Sequence, residues 1–149
     1  MEKTYSQKVA RIFEIIDYLM LLPAAVGALF GLALLGANPL YTLLLYTFLL
    51  IGLVLLVGYF KHSRGRLDEK YFSGLWLTTA GYNFVLLLPP LYWASMLLQT
   101  KGSFTDYDGG TNGGTIIFFL ILLGIVFSYL AAIVFSVKAF SFERRKKYL

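Results

Sequence analysis

Between Tyr41 and Phe60 the chain runs YTLLLYTFLLIGLVLLVGYF, twenty residues without a formal charge. As a helix rising 1.5 Å per residue, a segment of that length reaches about 30 Å, the thickness of a bilayer's hydrocarbon core. Eight of its residues are Leu, each contributing roughly −0.3 to −0.6 kcal/mol to insertion at mid-membrane. The stretch reads as one of four transmembrane helices, and the rest of the chain is arranged around it.

The whole sequence supports that reading. Of its 149 residues 58% are hydrophobic and 14% charged, where a soluble domain carries about 45–50% and about 25%. The apolar excess lies in long blocks with only short segments outside them, which predicts a single domain over residues 1–149. The formal charge is +5, and because the basic residues flank apolar blocks, a membrane surface explains them better than nucleic acid does. The absence of cysteine excludes disulfides, thiolate metal sites and a cysteine nucleophile.

Residues 1–18 carry apolar Tyr5, Val9, Ile12, Phe13 and Ile16 at steps of three and four, with Lys8, Arg11, Glu14 and Asp17 on another face. This amphipathic segment either lies in the interface or runs straight into the first span. A signal peptide is the rival reading. The lack of a small-x-small cleavage site near Gly36 and the even set of spans that follows weigh against it. The first span covers about residues 15–35 and holds a GxxxG step at Gly27 and Gly31, with Pro23 inside it. Gly36-Ala-Asn-Pro39 connects it to the second span, 41–60, with Asn38 as helix cap and Pro39 as first helical residue. The third, 71–98, contains Pro89-Pro90, which should kink it or end the regular helix early. The fourth, 115–137, repeats Gly124, Ser128, Ala132 and Ser136 at i+4, a small-residue ladder suited to helix packing. Residues 138–149 form a basic tail.

Twelve of the thirteen basic residues fall before the first span, between the second and third, or at and after the end of the fourth, whereas Lys101 alone lies on the other side. The positive-inside rule then places both termini in the cytoplasm. The predicted fold is an all-α integral membrane protein of four antiparallel transmembrane helices. Its size and lack of cysteine suit a bacterial cytoplasmic membrane.

Candidate chemistry is sparse. Glu14 and Asp17 stand near the inner end of the first span, either as a proton or cation site or as interfacial acids, Glu14 paired with Arg11. The interfacial reading is preferred, because both lie within a turn or two of the surface. Thr78 and Asn83 belong to a polar band on the third span, read as helix-to-helix hydrogen bonding ahead of a pore lining. Asp106, Asp108 and Asn112 do not match a calcium loop, since Gly110 occupies a ligand position and no Glu closes it. His62, the one histidine, reads as a solvated loop residue. Arg144, Arg145, Lys146 and Lys147 suit anionic lipid headgroups or a cytoplasmic partner.

No metal or cofactor is expected from these residues, and no catalytic motif is present. The functional expectation is a non-catalytic small membrane subunit or assembly component, partnered by other transmembrane subunits or by itself. A small oligomeric transporter or channel is the second reading, and an enzyme acting on lipid or quinone the third.

Overall fold

The computed structural model describes residues 3–34, 36, 38–100 and 112–148. These form α1 (Tyr5–Leu34), α2 (Pro39–Ser63), a 3₁₀ turn (Glu69–Tyr71), α3 (Phe72–Gln99) and α4 (Gly113–Tyr148), with no strand among the described residues. All four helices are long and apolar enough to cross a membrane. Lys101, Asp106, Asp108 and Gly110 lie outside the described residues, as does the side chain of Lys147.

Local chemistry accounts for most boundaries. The Asn38 side chain accepts a hydrogen bond from the Tyr41 N–H at 3.1 Å, and Pro39 opens α2 with the fixed φ that a first turn needs. At its other end α2 stops in a Schellman arrangement. The Arg66 N–H bonds the Lys61 carbonyl at 2.8 Å and the Gly65 N–H that of His62 at 3.1 Å. This requires the left-handed backbone of Gly65, φ +69°.

The first and fourth helices run past their sequence-based limits, and the prolines of the third do not end it. α1 starts at Tyr5, so the amphipathic segment and the first span are one helix. α3 continues through Pro89 and Pro90, where membrane helices re-satisfy the freed carbonyls by local adjustment. α4 continues to Tyr148, because Glu-Arg-Arg-Lys-Lys are helix formers with no Gly or Pro to stop them.

The chain divides into two compact units, residues 1–75 with 139–149, and residues 76–138. In the first, α1 and α2 pair with rising numbers on α2 meeting falling numbers on α1. The Thr42 hydroxyl reaches the Gly31 carbonyl at 3.4 Å, the Tyr46 hydroxyl donates to Ala28 O at 2.7 Å, and the Phe13 and Tyr59 rings lie 5.4 Å apart. The approach is close at Gly31, where a Cβ would sit 2.8 Å from Leu45 Cδ2. In the second unit the buried residues of α3 are Trp76, Thr79, Leu87 and Ala94, and those of α4 are Leu122, Val126 and Ser136.

The most apolar stretches are the least buried. Of the most apolar part of α1 only 6% is buried, and Leu22 is 75% exposed. Leu50, Val54, Leu77 and Phe127 are likewise exposed. Water would not tolerate so continuous an apolar exterior, whereas lipid tails solvate it without penalty.

Candidate functional site: a buried polar end

The charged groups that are buried gather in the first unit, where the start of α1, the end of α2, the start of α3 and the end of α4 meet. On α1 the buried stripe is Ser6, Val9, Ala10, Phe13 and Glu14, the i, i+3, i+4, i+7, i+8 spacing of one helix face. This differs from the stripe read from sequence. Ile12 and Ile16 are exposed, and Glu14 turns inward instead of joining Lys8 and Arg11 outside.

Glu14 has no exposed surface, and a bare carboxylate there would be costly. Two guanidiniums and a hydroxyl compensate it. Arg64 Nη1 meets Oε1 at 3.0 Å, Arg11 Nη1 meets Oε2 at 3.0 Å, and Ser63 Oγ donates to Oε2 at 3.0 Å. Arg64 also bonds the Phe60 carbonyl at 3.2 Å and lies 3.8 Å over the Phe60 ring. Glu14 thus takes one cation from its own helix, Arg11, and a second from the capped end of α2, Arg64.

The second group joins both ends of the chain. Ser6 donates its hydroxyl hydrogen to Glu143 Oε1. His62 Nε2 lies 3.0 Å from the same hydroxyl and 3.9 Å from Glu143 Oε1. Since a hydroxyl has one hydrogen, His62 Nε2 is the donor to Ser6, which assigns the proton to that nitrogen. The His62 ring packs on Phe72 at 4.4 Å, and Tyr5 packs on Phe142 at 6.1 Å. Ser6, His62 and Glu143 are all buried.

A serine, a histidine and a carboxylate invite comparison with a hydrolytic triad, and the geometry rejects it. A triad needs the carboxylate on the imidazole nitrogen opposite the serine, and an accessible hydroxyl. Here serine and carboxylate both face Nε2, the serine proton goes directly to the carboxylate, and Ser6 has no exposed surface. Among the described residues no group of three His, Asp or Glu side chains gathers to hold a metal.

The other candidates lie apart. Asp17 is half-buried, one turn beyond Glu14 and outside this network. Thr78 is exposed, and Asn83, half-buried, donates from Nδ2 to the Thr79 carbonyl of its own helix at 2.8 Å. Gly31 is buried against α2, while a Cβ on Gly27 or Gly124 would meet nothing within 4 Å. Ser128 is exposed and bonds back to the Gly124 carbonyl at 2.9 Å, Ala132 is half-buried, and buried Ser136 bonds back to Ala132 at 2.7 Å. Arg144, Arg145 and Lys146 are exposed, with the Arg144 guanidinium 5.6 Å over the Phe140 ring.

Sequence reasoning passed over Ser6, Ser63, Arg64 and Glu143, and it placed His62 in a solvated loop. His62 in fact occupies the last turn of α2. One signal was available for Glu143, the single acid in the basic tail. It follows Ser136 and Ala139 at i+7 and i+4 on the buried face of α4.

No family model, curated protein or solved structure matches the chain.

Proposed function

We propose that this chain is a small, non-catalytic component of a larger membrane assembly. In this reading it is a bundle of four antiparallel transmembrane helices that binds other transmembrane subunits or further copies of itself. Both termini and the 61–70 connection face the cytoplasm, where the exposed basic tail meets anionic headgroups, and the membrane is a bacterial cytoplasmic one. In support, Tyr5 and Ser6 touch Phe142 and Glu143, and Ser6 touches His62, so the three basic segments share one end.

The observation that carries the association is the open backbone at Gly124. It is exposed, nothing fills the space where its Cβ would be, and neighbouring Ser128 has already turned its hydroxyl back onto the helix. A small residue on a lipid-facing surface lets a second backbone approach and gain dispersion contacts. Ser6 and His62, by contrast, are bonded to one another, Ser6 to Glu143, and Glu14 to Ser63 and two arginines.

Extraction in a mild detergent followed by native mass spectrometry tests this. The wild-type chain should appear in particles heavier than one chain, and Gly124→Leu should reduce them to single chains. Its unfolding midpoint should not fall, because Leu is the better helix former by about 1 kcal/mol. A wild-type chain that leaves the membrane as a lone monomer would refute the proposal.

A small oligomeric transporter is the second reading, and Asp17 is the observation in its favour. It is a half-buried carboxylate within an apolar helix and outside the arginine network.

A further inference from the structure

The 3₁₀ turn, the start of α3 and the end of α4 border an open cavity of about 580 Å³ lined by Glu69, Lys70, Phe72, Ser73, Glu143 and Lys146. That volume lies within the roughly 300–1,000 Å³ typical of small-molecule sites. Glu69 and Lys146 stand at ends of two helices long and apolar enough to cross a membrane, so in the proposed topology the cavity would meet headgroups rather than acyl tails. The lining carries two ammonium groups, two carboxylates, a hydroxyl and an aromatic wall. Glu143 Oε1 accepts from Ser6 and lies 3.9 Å from His62 Nε2. Its Oε2 has no hydrogen bond among the described residues. Lys70 keeps its Nζ 5.0 Å over the Tyr71 ring, and the Phe72 ring packs on His62 at 4.4 Å.

We propose that this cavity binds a phosphoethanolamine group, with Lys70, Lys146 and Ser73 meeting the phosphate and Glu69 and Glu143 meeting the primary ammonium. The balance of charges selects this class. A purely anionic headgroup or inorganic phosphate gains the two lysines but faces two carboxylates, and like charges at contact disfavour it. A quaternary ammonium satisfies the charge of Glu69 and Glu143 but offers no N–H to them. A zwitterion with a primary ammonium leaves neither sign unmatched. This goes beyond the association reading and does not depend on it.

The test uses the full chain, stripped of lipid in detergent. It is offered phosphatidylethanolamine, phosphatidylcholine or phosphatidylglycerol of identical acyl chains, and bound lipid is counted by native mass spectrometry. Phosphatidylethanolamine should be retained best. Lys146→Gln should weaken retention of all three lipids by about fivefold, the factor equivalent to roughly 1 kcal/mol per basic residue at a membrane surface. Glu69→Gln should weaken phosphatidylethanolamine alone and remove its advantage. Glu69 and Lys146 are exposed, so both variants should keep the wild-type unfolding midpoint. Displacement by soluble phosphoethanolamine would support the site and show that the headgroup suffices. Lipid retention without such displacement would support it as a membrane-lipid site. Equal retention of the three lipids, or a preference that survives Glu69→Gln, would overturn the proposal. The readout is made on isolated chains, so its failure leaves the association reading standing, and a monomer that still selects the lipid leaves this one standing.

Discussion

Glu14→Ala is expected to lower the stability of the folded chain by about 2–3 kcal/mol, the largest loss from any single truncation of an acid. Removing one partner of a fully buried ion pair costs about 3–5 kcal/mol, because the other charge is left uncompensated. That figure is discounted here because Arg11 and Arg64 are 45% and 37% exposed and can turn toward water. What stays behind is a void at the α1–α2 contact and a buried Ser63 that keeps only the Phe60 carbonyl, at 3.1 Å, as its acceptor. Glu14→Gln should lose about half as much, since the amide oxygen still accepts from Ser63 or one arginine. Asp17→Asn, one turn away and outside the network, should be within about 0.5 kcal/mol of wild type. Unfolding midpoints of the four proteins in the same detergent give the comparison. Equal loss at positions 14 and 17 would show that the arginine network is not what holds Glu14 inside.

The second large effect is expected at Glu143. Its carboxylate ties the last turns of α4 to the first turn of α1 through Ser6 and lies 3.9 Å from His62. Glu143→Ala takes the acceptor from a hydroxyl with no exposed surface, which costs about 1–3 kcal/mol. The loss should be local as well as global. With Ser6 and Phe142 no longer held, the end of α4 opens more often, and trypsin should cut at Arg144 and Arg145 faster than in wild type. Glu143→Gln separates hydrogen bonding from charge. It keeps an acceptor for Ser6 and should restore most of the protease resistance. If Glu143→Gln were cut as fast as Glu143→Ala, the negative charge rather than the acceptor would be holding the helix end.

How much of this was legible follows from what is local. Uncharged length is a local property, so the run from Tyr41 to Phe60 announced its helix without any partner. The Asn38-Pro39 start was equally plain, since a cap and a first-turn proline act within four residues. The stop at Gly65 needed only a glycine where the backbone turns left-handed, although the basic loop around it drew attention to charge instead. The polar end was hidden because its bonds are not local. Glu14 depends on a serine and an arginine 49 and 50 residues away, and Ser6 on a glutamate 137 residues away. Helix periodicity assigned Glu14 to a face from its near neighbours, while its buried position is matched by the serine and arginine that α2 adds to Arg11. His62 was misplaced for a related reason, since α2 continues three residues past Phe60 and carries the ring inside.

The proposed topology has four membrane crossings, with the polar network at the end that carries the basic segments. Lack of cysteine makes it directly testable by single substitutions at Gly36, Arg66, Ser103 and Arg145, probed in intact cells with a membrane-impermeant maleimide. Gly36→Cys and Ser103→Cys should react from outside, and Arg66→Cys and Arg145→Cys only after permeabilisation. Reaction of Arg66→Cys or Arg145→Cys in intact cells alongside Gly36→Cys would contradict the account.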